Sequence, residues 1–77
     1  MAVIIYSTPA CTYCMMAKKY LAANNVEYEE INVAENKKAA DEMIEKSGQR
    51  GVPVIDINGT IIIGFDVGAI RTALGMK

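Results

Sequence analysis

Residues 3–14, with the sequence VIIYSTPACTYC, decide how this chain begins to fold. The opening Val-Ile-Ile-Tyr is a continuous run of mostly β-branched residues, which is typical of a strand buried on both faces. Ser-Thr-Pro-Ala breaks that run, and Cys14, Ala17 and Leu21 then recur at the spacing of one helix face. The pattern predicts a central strand, a short turn, and a helix that has Cys11 at its start and Cys14 one turn inside, facing the core.

The remaining sequence predicts five further elements, each from the spacing of its apolar residues and from the capping or turn residues at its ends. They are a strand over 26–33, a helix over 36–47 ended by Gly48, strands over 52–57 and 60–63 around an Asn58-Gly59 hairpin turn, and a last helix capped by Asp66. The order β-α-β-α-β-β-α implies a right-handed crossover between two parallel strands, followed by an antiparallel hairpin. We therefore predict an α/β fold, a single domain over residues 1–77 with a four-stranded mixed sheet flanked by helices.

The composition excludes several classes of function. The chain of 77 residues is 52% hydrophobic and 22% charged, which is far from the composition of disordered proteins. Its net charge of −1 offers no basic stripe for nucleic acid, and its opening apolar run is too short for a signal or a membrane span. We expect a cytoplasmic monomer that binds neither nucleic acid nor membrane. Histidine is absent, so Cys-His nucleophilic pairs are excluded.

Cys11 and Cys14 are the only cysteines, and a Cys-x-x-Cys pair can close and reopen an intramolecular disulfide. Unpaired N–H groups at a helix start favour negative charge, so we expect the amides of Tyr13 and Cys14 to stabilise a Cys11 thiolate. Cys14, inside the helix, should remain a thiol until needed. Cys11 would attack a substrate disulfide, and Cys14 would then resolve the mixed disulfide. An external reductant completes the cycle.

Judged from the residues alone, the cysteine pair and Pro53 each allow a second interpretation. The cysteine pair is also half of a zinc or iron–sulfur site, although four ligands would require a second chain or bound thiols, and we predict no metal site in the monomer. Pro53 marks either a strand edge or turn, or a cis peptide that turns the backbone of Val52 outward beside Cys11 to pair with a substrate. The sequence does not decide the isomer.

Three stretches of this chain resemble the glutaredoxins and their NrdH-type relatives: residues 6–14, the pair Val52-Pro53, and Gly64-Phe65-Asp66. The similarity extends over essentially the whole chain. It implies a thioredoxin fold, a cis proline at Pro53, and exchange of Cys11 and Cys14 with disulfides of proteins or small molecules. It implies no tightly bound cofactor. The candidate contacts for substrate or glutathione are Thr8, Tyr13, Arg50, Val52, Pro53, Gly64 and Asp66.

Departures from the glutaredoxin pattern leave the reductant open. Thr8 stands where glutaredoxins usually carry lysine, Gly51 replaces a threonine, and Val67 replaces a second acidic residue, so that contacts to glutathione are lost. Gly64-Phe65 is closer to the NrdH type, which is reduced by thioredoxin reductase, whereas Tyr13 favours the glutaredoxins. Glutathione as co-substrate and a thioredoxin-reductase-type flavoprotein are therefore both candidate electron donors.

The resemblance also suggests two alternatives to a disulfide reductase. Some glutaredoxins dimerise around an iron–sulfur cluster held by the first cysteine and glutathione, which here would be Cys11. The other alternative is a redox-sensitive peptide-binding module of the thioredoxin fold that uses Val52 and the surface around Tyr13, and in which the cysteines do little.

Overall fold

A computed structural model describes residues 2–76 and contains each predicted element in the predicted order. The elements are β1 (Val3–Ser7), α1 (Thr12–Ala23), β2 (Glu29–Asn32), α2 (Lys37–Ser47), β3 (Val54–Ile57), β4 (Thr60–Ile63) and α3 (Val67–Leu74). Within residues 2–76, no helix is both long and apolar enough to cross a membrane.

The four strands form one mixed sheet in the order β2-β1-β3-β4. β1 pairs in parallel with β2, as a crossover through α1 requires, and antiparallel with β3, which forms a hairpin with β4. β1 is thus a central strand, as predicted. The carboxyl end of β1 leads directly into the turn before α1, which places the cysteine pair at that end of the sheet.

Side chains of β1 alternate between two apolar cores, one on each face of the sheet. Val3 and Ile5 lie in the first core with α1 and α3, whereas Tyr6 lies in the second core with α2. Buried partners in the first core are Ala17, Leu21, Ile55, Ile57, Ile62 and Ile70, and those in the second are Ala39, Met43 and Val54. Helices cover both faces of the sheet, which explains why β1 is apolar over its whole length.

The predicted helix boundaries are confirmed by their caps. The side chain of Asn36 accepts a hydrogen bond from the Ala39 amide at 3.0 Å and begins α2, and Gly48 ends that helix in a left-handed conformation with φ of 74°. The hairpin turn has φ of 51° at Asn58 and 93° at Gly59. Both values are positive, as a two-residue hairpin of this type requires.

The second strand is shorter than the predicted range 26–33. The Val26 amide donates to the Leu21 carbonyl at 2.9 Å, so it completes the end of α1 and is not available to a strand. Val26 and Tyr28 instead pack from the connecting loop against the first core. The strand prediction was therefore wrong at Val26, whose amide belongs to the helix terminus, although its side chain packs against the core.

The third strand begins at Val54, two residues later than predicted. The Val52–Pro53 peptide is cis, as the family resemblance implied. Proline has no N–H group to contribute to a ladder, and pairing with β1 starts at Val54 opposite Tyr6. Val52 and Pro53 therefore form a loop at the edge of the cysteine site.

Candidate active site

Cys11 is the N-cap residue of α1. Its backbone is extended, with φ of −91° and ψ of 111°, and its Sγ accepts a hydrogen bond from the Cys14 amide at 3.1 Å. This is the geometry in which a helix N-terminus stabilises a thiolate. The Tyr13 amide was predicted to join it, but within residues 2–76 no hydrogen bond from that amide to the sulfur is found. The side chain of Cys11 is half-buried.

Cys14 lies one turn inside α1 and is fully buried. Burial raises the pKa of the Cys14 thiol to about 12, and a hydrogen bond with Cys11 acts in the same direction. A backbone hydrogen bond with Thr8 and the positive charge of Lys18 oppose this rise. The two sulfurs therefore occupy unequal environments, one at the surface beside an amide and one buried as a thiol.

The loop around the cis proline faces Cys11. The Cys11 thiol lies 3.8 Å from the carbonyl oxygen of Val52 and points to it as a donor. The Pro53 carbonyl accepts a hydrogen bond from the Gly64 amide at 2.8 Å, and the Thr8 carbonyl accepts one from the Cys11 amide at 3.3 Å. The loop before β3 therefore contacts Cys11 directly, and the loop after β4 is joined to it through Gly64.

Three predicted site residues lie farther out. Tyr13 has 62% of its side chain exposed, and Arg50 is an exposed loop residue. Asp66 caps α3, where its carboxylate accepts from the Ala69 amide at 3.1 Å. Within the described residues, none of the three makes a hydrogen bond or ion pair with either cysteine. Their predicted contacts with glutathione therefore remain predictions, and Asp66 has a structural role in any case.

Comparison with known proteins decides the family. The model of the glutaredoxin family matches residues 3–62 of this chain. The chain belongs to the glutaredoxin family. Members of this family are generally thiol–disulfide oxidoreductases, and the four-stranded mixed sheet with three helices is the thioredoxin fold of glutaredoxin structures.

Individual glutaredoxin relatives cover most of the chain. A glutaredoxin-like 8.6 kDa protein from the rubredoxin operon of Clostridium pasteurianum is 48% identical over 62 residues, covering 80% of this chain and 83% of the relative. Glutaredoxin 3 of Escherichia coli is 38% identical over 62 residues, covering 80% and 75%. The solved structure of the glutaredoxin-like protein NrdH-redoxin from Escherichia coli has a TM-score of 0.85 at 26% identity, covering 94% of this chain and 93% of that one.

The sequence analysis did not identify a polar cluster of this glutaredoxin that joins α1 to the sheet and consists of Ser7, Lys18 and Glu30. The Nζ of Lys18 donates to Glu30 Oε2 at 2.7 Å, and the hydroxyl of buried Ser7 donates to the same oxygen at 2.8 Å. The Glu30 bond raises the pKa of Lys18, and the bonds from Lys18 and Ser7 lower the pKa of Glu30. The spacing of Lys18 four residues after Cys14 was a usable signal, because such residues share a helix face.

The metal interpretation gains no additional ligands from the part of the chain that the structure describes. Among residues 2–76, no group of three or more His, Cys, Asp or Glu side chains is arranged to hold a metal ion. Cys11 and Cys14 would supply two ligands, so a cluster would still require the second chain or bound thiols considered above.

Proposed function

We propose that this glutaredoxin is a dithiol oxidoreductase that reduces disulfides of proteins or small molecules through Cys11 and Cys14. One observation carries the proposal: the Cys11 sulfur caps α1 and accepts the Cys14 amide, while the Cys14 thiol is buried directly behind it. The first sulfur is thereby suited to attack and the second to resolve.

The reaction follows from this asymmetry. The Cys11 thiolate attacks one sulfur of a substrate disulfide, forms a mixed disulfide, and releases the other substrate sulfur as a thiolate that takes a proton from water. Cys14 loses its proton and attacks Cys11 Sγ. The bond between Cys11 and the substrate breaks, and the second substrate sulfur leaves reduced. The protein is then oxidised by two electrons and holds a Cys11–Cys14 disulfide.

The substrate lies, in this proposal, along the loop that faces Cys11. Val52 is half-buried, and its carbonyl oxygen lies 3.8 Å from the Cys11 sulfur. An extended substrate that pairs with the Val52 backbone would bring its own sulfur next to Cys11. The exposed ring of Tyr13 provides apolar contact area on the neighbouring side.

Either glutathione or a thioredoxin-reductase-type flavoprotein returns the electrons. Tyr13, Val52 and Asp66 support glutathione as the donor, whereas Thr8 and Val67 remove groups that would bind it. The NrdH-redoxin of Escherichia coli combines a glutaredoxin-like chain with a thioredoxin-like activity profile, which supports the flavoprotein.

A coupled assay tests both parts of the proposal. The protein is given a small disulfide and NADPH with either glutathione and glutathione reductase, or thioredoxin reductase. We expect turnover with one donor system, loss of turnover in Cys11→Ser, and a mixed disulfide that can be trapped in Cys14→Ser. Full activity of Cys11→Ser would contradict the mechanism, and absence of turnover with both donors would contradict the proposed function.

A further inference from the structure

The resolving step of the proposed function, on which this inference rests, requires a buried thiol to ionise. Cys14 is fully buried and can attack only as a thiolate. Burial disfavours its charged form. A group that stabilises the Cys14 thiolate would therefore accelerate release of the substrate without affecting the first attack by Cys11.

Lys18 is the cation placed to do this. It follows Cys14 by one helical turn on α1, and its side chain is 27% exposed, so water screens its charge only partly. Its ammonium is fixed by the 2.7 Å bond to Glu30 on β2. Ser7, which is 1% exposed at the end of β1, donates from its hydroxyl to the same carboxylate oxygen at 2.8 Å.

The charges acting on Cys14 change during the reaction. In the reduced protein Cys11 opposes ionisation of Cys14, whereas a backbone hydrogen bond with Thr8 and, less strongly, the charge of Lys18 favour it. In the mixed disulfide the opposition of Cys11 is gone, and Thr8 and Lys18 remain, of which only Lys18 carries a charge. The groups that in turn act on Lys18 are Glu30, Tyr28 and Cys14, and all three favour its charged form. Lys18 is therefore an ammonium at neutral pH.

We propose that Lys18, held in place by Glu30 and Ser7, promotes the resolving step by stabilising the Cys14 thiolate as it attacks the mixed disulfide on Cys11. Lys18 is not the base, because its ammonium has no lone pair. The Cys14 proton passes to water, the Cys14–Cys11 bond forms, the Cys11–substrate bond breaks, and the departing thiolate is protonated by water. Glu30 and Ser7 are positioning residues in this scheme.

A two-phase reaction with dithiobis(nitrobenzoate) isolates the step. Attack by Cys11 releases one thionitrobenzoate and leaves the second on Cys11, and attack by Cys14 releases that second one. We expect Lys18→Met to slow the second phase about 3- to 10-fold at neutral pH. This effect is at the small end for the loss of a neighbouring charge, because Lys18 is partly exposed and water screens it. The first phase should be unchanged, and the second should recover its rate at higher pH.

Three matched variants assign the effect to the charge. Lys19→Met alters the next, exposed lysine of α1 and should leave both phases unchanged. Lys18→Arg keeps a cation and should restore most of the second-phase rate. The double variant Lys18→Met/Glu30→Gln also removes the carboxylate that the single variant leaves without its lysine. Its second phase should remain slow. A second phase in Lys18→Met equal to wild type, or a wild-type rate in the double variant, would overturn the inference.

The same experiment separates this inference from the proposed function. Cys14→Ser must lose the second phase, which identifies that phase as the resolving step. If wild-type protein released only one thionitrobenzoate, the dithiol mechanism itself would fail. If wild-type protein released both and Lys18→Met did so at the same rate, only the role of Lys18 would be rejected.

Discussion

Two lysine–carboxylate clusters lie on opposite faces of the same sheet, and they differ in what they touch. On the α1 face, Ser7 and Lys18 hold Glu30 beside buried Cys14. On the α2 face, Lys46 donates to the Tyr6 hydroxyl at 2.8 Å and to Asp56 at 2.9 Å. Tyr6 and Ser7 are consecutive residues of β1, so their side chains point to opposite faces.

The α2 cluster joins a helix to the sheet and has no reactive group in it. Lys46 also pairs with Glu42 one turn earlier, whose carboxylate accepts from the Tyr6 hydroxyl at 3.0 Å, and its ammonium lies 5.2 Å from the Tyr6 ring centre. The hydrogen bonds of Lys46 to Tyr6 and Asp56 raise its pKa. Similar lysine–carboxylate pairs thus serve stability on one face of the sheet and, in our proposal, chemistry on the other, where Cys14 is the neighbouring group.

The largest effect that distinguishes the two clusters is on stability. Lys46→Met should lower the free energy of unfolding by about 1–3 kcal/mol, because it leaves Tyr6 and the partly buried Asp56 without their shared donor. Urea unfolding of the reduced protein measures this loss. Both phases of the dithiobis(nitrobenzoate) reaction should keep their wild-type rates. A slower second phase in Lys46→Met would remove the distinction between the clusters.

A smaller loss of folding stability is expected for the reduced protein at alkaline pH. The Cys14 pKa is about 12 in the fold against 9.0 in the unfolded chain, so the folded state retains a proton that the unfolded state loses. The contribution of Cys14 to stability is complete below about pH 8 and is lost progressively up to about pH 12, with a loss of about 1–2 kcal/mol at pH 10. Lys46 contributes a decline of the same sign at higher pH.

Cys14→Ala isolates the contribution of the buried thiol. The variant is less stable at neutral pH because it leaves a small cavity, but its stability should decline less steeply between pH 8 and 10 than that of the wild type, as followed by urea unfolding. Lys46 is present in both proteins and cancels in the comparison. Equal slopes would mean that Cys14 ionises as readily in the fold as in the unfolded chain.

Local signals were sufficient for most of the fold. Gly48 predicted a helix end and Asp66 a helix start, and the Asn58-Gly59 pair predicted the hairpin, because caps and tight turns depend on a few adjacent residues. The start of β2 was wrong because the Val26 amide bonds back to α1. Which amide is consumed by a helix terminus depends on how the helix ends, and an apolar pattern does not contain that information.

The site was predictable where it depends on residues close together in the chain, and only there. The placements of Cys11 and Cys14 follow from one local motif and agree with the structure. Glu30 was missed because its place beside Ser7 depends on the register of β1 against β2, in which Ile5 lies opposite Glu30. Such a register joins residues far apart in the chain. Spacing within α1 could have indicated Lys18, but not the carboxylate that fixes it.

The unequal environment of the two sulfurs is tested most directly by alkylation of the reduced, folded protein. Iodoacetamide at neutral pH, followed by peptide mass spectrometry, measures the modification rate of each cysteine separately. We expect rapid modification of Cys11, and modification of Cys14 only after unfolding, because its thiol is buried and protonated. Modification of both cysteines at similar rates in the folded protein would contradict the account.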